Sequence, residues 1–260
     1  MQWLLQDFED TRKLGDALVR FGIRHSWHRV VPFVGDLDPK PEIADPNDVI
    51  LFGSYTLGRY AKAKNLTPGV FVLRPFLRET AWHPFLLNGA DAIVLTLKEV
   101  QQHLPEDARA WFVRPVSDSK EIAGTVKTGA EIAALAARVC ALAPDEIPRG
   151  SLRHDTELML TEPVRILKEW RVWVVADTVV THSVYKEGAR VIYRAEIDDD
   201  ADRFVQELVA ANPNYAPAYV IDICRTPAGL KMLETNCINA AGFYAADMQK
   251  LVHAVENIPR

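Results

Sequence analysis

The chain has little cysteine, no long apolar run and no excess of positive charge, and each lack removes a class of protein. Three cysteines in 260 residues, Cys140, Cys224 and Cys237, are odd in number and show no C-x-x-C spacing. That pattern excludes a disulfide framework and a cysteine zinc site, and leaves them as small buried thiols. No apolar run approaches the about 18 residues a membrane-spanning helix requires. The start, Met1 to Asp7, has neither the basic residues nor the hydrophobic stretch of a secretion signal. An intracellular, cytoplasmic protein with no membrane segment is expected. A net charge of −5 provides no general basic face for nucleic acid. His83, His103, His154, His182 and His253 are too scattered for a histidine metal centre. The acidic run Asp198 to Asp200 with Asp202 lacks the glycine and closing glutamate of a calcium loop. What is present is 48% hydrophobic residues, enough for a globular core.

Along the chain, hydrophobic periodicity predicts strands at Gln2 to Leu5, Val30 to Val34, Asp48 to Phe52 and Val70 to Leu73. These alternate with helices at Asp10 to Phe21, stopped by Gly22, and at Thr56 to Lys64, an α/β pattern. Pro75 to Pro105 reads as a packed connection ending in a short helix, with Thr96-x-x-Glu99 as its capping box. Ala110 to Val116 is a strand and Ser117 to Val126 a polar turn. Thr128 to Leu142 is a helix with Thr128-x-x-Glu131 as a second capping box. Glu157 to Thr161 is a strand, and Glu162-Pro163-Val164 is a turn able to act as a hinge. Glu169 to Ala176 and Val179 to Tyr185 read as a hairpin, followed by a strand at Val191 to Arg194 and a helix at Asp199 to Ala211. Gly53-Ser54 reads as a turn before a helix, or as an entry for a ligand to the helix amino end.

The residues that carry chemistry cluster late. Tyr219 to Ile223 and Leu230 to Thr235 are joined by the turn residues Arg225 to Gly229, so a second hairpin is expected. Alternate residues of a strand share a face, which puts Glu234 beside Asn236, with Asp222 on the partner strand. Two carboxylates and a carboxamide suit a hard, oxygen-seeking cation such as magnesium, or are ordinary strand-end and turn residues. Arg114 is a charge inside an apolar strand, and Lys120 follows it. A polyphosphate is a suitable partner for both, and a snorkelling edge arginine is the alternative. Glu169 and Arg171 share a strand face, either as a surface pair or as groups for ribose hydroxyls and for a phosphate or carboxylate.

Taken together, FVRPVSDSKEIAG, EWRVWVV followed by THSVY, and YVIDICRTPAGLKMLETNCINAAGFY resemble the ATP-grasp superfamily. The likeness is to its small bacterial and phage clade, which carries an Arg and a Lys ahead of the E-x-R strand, and it covers about Trp111 to Leu251. It implies an α+β fold: a preceding α/β lobe at 1–75, a central lobe at 76–168 and a C-terminal lobe at 169–260 carrying the metal site. It implies the cofactors ATP and Mg2+. Arg114 and Lys120 would hold phosphates, Glu162 and Val164 would border adenine, and Glu169 would meet the ribose. Asp222, Glu234 and Asn236 would bind magnesium beside the nucleotide. The implied activity is carboxylate–amine ligation through an acyl phosphate, on small-molecule or peptide substrates. Arg114, Lys120 and Arg171 would assist the chemistry, with Arg171, Asn239 and Tyr244 facing substrate. An ATP-dependent phosphotransferase and a catalytically silent nucleotide-binding module are the alternatives. The chain departs from the family in its phosphate loop, where only Gly124 follows Lys120.

Overall fold

A computed structural model describes residues 1–32, 34–87, 92–104, 107–117, 122–148 and 150–259. The chain forms two compact units, one made of 1–73 with 166–260 and the other of 74–165. The first and last segments, expected as separate lobes, thus belong to one unit. Among the described residues the strands assemble into three sheets, and no helix is long and apolar enough to cross a membrane.

The first unit begins with β1 (Gln2–Gln6), α1 (Glu9–Phe21), β2 (His25–Val30), β3 (Leu37–Asp38), β4 (Val49–Phe52), α2 (Thr56–Ala63) and β5 (Pro68–Gly69). Its sheet has the order β3-β2-β1-β4-β5, with β2, β1, β4 and β5 parallel. Helices connect parallel strands and cover both faces, so central strands read as apolar throughout. Trp3 and Leu5 of β1 enter one core and Leu4 the opposite one. Helix α1 ends as expected at Gly22, whose φ of 64° is left-handed and whose N–H returns to Leu18 and Val19.

Two expectations shift here. The second strand lies at His25–Val30, ahead of the apolar Val30 to Val34 stretch, because parallel pairing with β1 selects Ser26, Trp27 and His28. Its polar members are satisfied locally: Ser26 Oγ is 2.7 Å from His28 Nε2, and His28 Nδ1 is 2.5 Å from the Pro39 carbonyl. Phe33 lies outside the described residues. The fifth strand is Pro68–Gly69, with Val70 to Leu73 irregular beyond it.

The second unit contains 3-10 turns at Phe76–Arg78 and Thr80–Phe85, then β6 (Ile93–Thr96), α3 (Leu97–His103), β7 (Ala110–Pro115), β8 (Thr125–Thr128), α4 (Gly129–Cys140) and β9 (Glu157–Thr161). Its antiparallel sheet runs β6-β9-β7-β8. Helices α3 and α4 pack on it through Leu97, Val100, Ile132 and Ala136 against Trp111, Val113, Leu158 and Leu160. Both capping boxes form: Thr96 with Glu99, and Thr128 with Glu131.

The first unit resumes with β10 (Lys168–Val175), β11 (Thr178–Glu187), β12 (Arg190–Arg194), α5 (Asp199–Ala211), β13 (Ala218–Thr226), β14 (Gly229–Asn236) and α6 (Met248–Glu256). Its sheet, β12-β11-β10-β13-β14, is antiparallel throughout. One core joins the two sheets of this unit, with Trp3, Leu5 and Phe52 on one side, Trp173, Val175 and Val220 on the other, and Leu14, Leu18, Leu251 and Val252 of α1 and α6 completing it.

Candidate active site

The register of β10 against β13 sets the site. Trp173 pairs with Val220, Arg171 with Asp222 and Glu169 with Cys224. Side chains alternate between faces, so one face runs outward from the shared core as an apolar rank, an Arg–Asp rank and then Glu169. On the far side of β13, Asp222 pairs with Glu234 of β14, which brings together the residues whose register the sequence leaves open.

Asp222 and Arg171 are both buried and form a bidentate pair: Arg171 Nε donates to Oδ1 at 2.8 Å and Nη2 to Oδ2 at 2.7 Å. Burial works against the guanidinium charge, but the Asp222 carboxylate more than offsets it and Arg171 stays protonated. Arg171 Nη1 donates to the Gly242 carbonyl at 3.3 Å, and the cation lies 4.8 Å from the Tyr244 ring centre and 5.7 Å from that of Tyr185. Asn236 Nδ2 donates to Asp222 Oδ2 and to Glu234 Oε1, both at 3.1 Å.

That amide bridges two carboxylates, and half a turn about its terminal bond would exchange Nδ2 for Oδ1 and present an oxygen instead. Two carboxylates and a carboxamide oxygen on paired strands fit magnesium, which takes oxygen ligands and completes its shell with water and phosphate. Among the described residues no group of three or more His, Cys, Asp or Glu side chains is arranged to hold a metal, so any protein-based set here needs Asn236.

Glu169 is 7% exposed. Its Oε2 accepts a 2.6 Å hydrogen bond from Tyr185 Oη, and Lys186 Nζ lies 2.9 Å from Oε1. Burial, followed by the Asp222 and Glu169 charges, pushes the Tyr185 hydroxyl well above its usual range. Cys224, opposite Glu169, is buried and its thiol is pushed up to about 12, by burial first and then by Glu169.

The loop after β14 is fastened from several sides. Asn239 is buried; its Nδ2 donates to the Leu51 carbonyl at 2.8 Å, and its Oδ1 accepts from Phe71 N–H at 2.9 Å. Gly53 N–H donates to the Asn239 carbonyl at 2.8 Å. Expected to face substrate, Asn239 therefore turns its carboxamide to main chain and ties the loop to the end of β4. Ala245 N–H donates to Ser183 Oγ, Asp247 N–H to Thr181 Oγ1, and Lys13 Nζ to the Tyr244 carbonyl. Tyr244 sits at a φ of 51°, a left-handed conformation that is costly for a bulky residue and persists only where its surroundings hold it. Its ring stacks on Tyr193 at 4.8 Å and on Tyr185 at 5.3 Å between centroids. Burial leads in raising the Tyr244 hydroxyl; Arg171 opposes it, while Asp222, Tyr193 and Asp10 add to it.

The second unit holds the remaining candidates. Arg114, on β7, is partly buried; its Nε donates to the Pro115 carbonyl at 3.3 Å and its cation lies 5.1 Å from the Phe76 ring centre. Glu162 pairs with Arg109 at 2.6 Å and Val164 is exposed. Lys120 lies outside the described residues. Tyr193 and Asp10 carry no sequence signal, and Tyr185 is marked only as the end of THSVY; the sheet puts the Tyr185 ring 5.7 Å from the Arg171 cation, while Tyr193 stacks on Tyr244 and Asp10 lies beside Gly242.

Residues 2–255 match the model of the ATP-grasp domain, R-two-K clade, family 3. The chain belongs to this family. No curated protein matches the sequence at a significant level. Among solved structures, D-cycloserine synthetase DcsG is similar over 100% of both chains, with a TM-score of 0.62 and 14% identity. The D-alanine-D-alanine ligase from Coxiella burnetii is similar over 99% of this chain and 93% of its own, with a TM-score of 0.63 and 13% identity. ATP-grasp ligase PsnB complexed with a minimal precursor is similar over 99% of both chains, with a TM-score of 0.57 and 13% identity. These likenesses establish the ATP-grasp fold, which is α+β with a preceding α/β segment, as the motifs implied.

Proposed function

We propose that this ATP-grasp protein is an ATP-dependent ligase that joins a carboxylate to an amine through an acyl phosphate. The observation that carries the reading is the rank of buried Arg171 and Asp222 with the half-buried Glu234, Asn236 bridging the two carboxylates, in a chain of this family. Asp222, Glu234 and Asn236 would hold magnesium. When bound, that ion neutralises charge on the phosphate oxygens. Arg114 and Lys120 would hold the phosphates, Glu162 and Val164 would border the adenine, and Glu169 would accept a hydrogen bond from a ribose hydroxyl. Arg171 is a fixed cation at the reacting end, where it orients the substrate carboxylate or the transferring phosphoryl group. Phosphoryl transfer asks mainly for such positioning and charge stabilisation. Tyr244 faces substrate directly, and Asn239 contributes by holding the loop that presents it.

Peptide or amino-acid substrates are favoured, because the similar structures include a D-alanine-D-alanine ligase and a ligase complexed with a precursor peptide and AMPPNP. The test is phosphate release from magnesium-ATP with paired panels of amino acids and short peptides, followed by mass spectrometry of the products. A ligase releases phosphate only when both partners are present and yields a product lighter by one water than their sum. Release of ADP with a stable phosphorylated product and no amine dependence makes the protein a kinase, and binding without turnover makes it a silent module.

A further inference from the structure

Strand β11 carries a bulge beside Glu169. On β10, Lys186 pairs with Glu169 and Val184 with Trp170; on β12, Lys186 pairs with Val191 and Val184 with Arg194. Tyr185 is therefore the extra residue on both sides. In a regular strand Tyr185 and Lys186 would point to opposite faces. The bulge re-aims them, as bulges beside active sites do, and both reach one carboxylate. Tyr185 Oη donates to Glu169 Oε2 at 2.6 Å, and Lys186 Nζ lies 2.9 Å from Oε1. The two partners differ in kind. The Tyr185 ring is stacked on Tyr244 at 5.3 Å and lies 5.7 Å from the Arg171 cation, and burial with the nearby carboxylates keeps its phenol protonated, a standing donor. The Lys186 side chain is 41% exposed, and Glu169 Oε1, although buried, accepts no hydrogen bond among the described residues.

A carboxylate pinned by one oxygen presents the other in a fixed direction. Resting on the reading that Glu169 meets the ribose, we infer that Tyr185 is a positioning residue for recognition of the nucleotide sugar. Its hydroxyl pins Oε2 so that Oε1 is turned to a ribose hydroxyl, which takes the place of the exposed Lys186 ammonium. A buried acceptor placed to receive a hydroxyl rejects a sugar that lacks it, because the acceptor is then left desolvated and unpaired. Without the phenol, the carboxylate is free to turn with Lys186 towards solvent, and that discrimination goes. The contacts of the ring with Tyr244 and Arg171 do not involve the hydroxyl, so Tyr185→Phe removes the pin and keeps the stack.

The test measures, by titration calorimetry on the full chain, the affinities of magnesium-ATP and of magnesium-2′,3′-dideoxy-ATP, which lacks both ribose hydroxyls. Wild type, Tyr185→Phe, Glu169→Ala and the double variant are compared. Wild type should bind ATP about tenfold or more tightly than the dideoxynucleotide, as a hydrogen bond to a buried carboxylate allows. Tyr185→Phe should bind ATP about fivefold or more weakly while its affinity for the dideoxynucleotide stays within about twofold. Added to Glu169→Ala, it should alter neither affinity by more than about twofold, because it acts through that carboxylate. Equal weakening of both nucleotides in Tyr185→Phe, which damage to the fold would also give, overturns the positioning role, and so does an undiminished preference for ATP. A wild type that binds both nucleotides equally removes Glu169 from the ribose and this inference with it, but leaves nucleotide binding intact. Binding of neither nucleotide removes the ligase reading itself.

Discussion

Replacing Asp222 with asparagine removes one charge from a pair that is nearly inaccessible: Asp222 is 2% and Arg171 8% exposed. The guanidinium, bound through two hydrogen bonds of 2.8 and 2.7 Å, is left buried without its counter-ion. Breaking such a pair from one side costs about 3–5 kcal/mol. The Gly242 carbonyl and the faces of Tyr185 and Tyr244 remain, which places the loss near the lower end, about 3 kcal/mol. In a chain of 260 residues each kcal/mol moves the melting temperature by about 2–4 °C, so a fall of roughly 6–12 °C is expected. The double variant Arg171→Leu with Asp222→Leu removes both charges and should recover at least half of that fall, because an uncharged pair leaves no ion unpaired. The assay is thermal unfolding followed by near-ultraviolet circular dichroism, with chelator and without nucleotide; Trp170 and Trp173 lie on the same strand as Arg171. A single variant melting within about 1 °C of wild type, or a double variant as unstable as the two single losses added together, would show that the buried pair does not carry this energy.

Three further outcomes follow from the same geometry. Asn239→Ala strips partners from the Phe71 N–H and the Leu51 carbonyl, at about 1–3 kcal/mol for each buried group left unsatisfied; denaturant unfolding measures it, and a loss below about 0.5 kcal/mol contradicts the tie. Cys224, its thiol pushed up to about 12, should resist iodoacetamide at pH 8 in the folded chain and react once the chain is unfolded, as read by mass spectrometry; labelling of the native protein as fast as at Cys237 would count against its burial. Thr128→Ala removes the cap of α4 and should cost about 1 kcal/mol near neutral pH. Glu131 is held below its usual range by hydrogen bonds from the Thr128 backbone and side chain, so its part of the cap is present above the ordinary carboxylate pKa and fades as pH falls through the lowered one. The difference between Thr128→Ala and wild type should therefore narrow towards pH 3.

Some of this structure is legible in the residues because local pattern and tertiary environment agree. EWRVWVVA alternates polar and bulky side chains because one face carries the site and both faces are covered, and the two Thr-x-x-Glu boxes announce helices that form where they stand. The pairing of Asp222 with Glu234 is not legible, since a register shift follows Asp222 and depends on the whole sheet. Strand β2 is hidden by Ser26 and His28, polar residues made compatible with burial by bonds to each other and to the Pro39 carbonyl. The short strands β6 and β8 offer four residues each, too few for periodicity to separate them from a connection. Asn239 looks like a site residue because it follows the metal motif; its partners Phe71 and Leu51 lie 168 and 188 positions away. Asp10 and Tyr193 carry no local mark, and only the closure of α1 and β12 upon the loop at Gly242 and Tyr244 gives them a place.

The proposed function depends above all on Asp222, Glu234 and Asn236 holding magnesium for a bound nucleotide. The melting temperature of wild type and Glu234→Ala, taken with magnesium-ATP, with magnesium-GTP and with ATP plus chelator, decides it. A ligand at about a hundred times its dissociation constant stabilises the folded chain by roughly 2.7 kcal/mol, which gives a shift of about 5–11 °C at this size. A shift with magnesium-ATP that chelator reduces and that Glu234→Ala abolishes is expected. An equal shift in wild type and Glu234→Ala, or none with any nucleotide in a folded protein, would remove these three residues from any metal site.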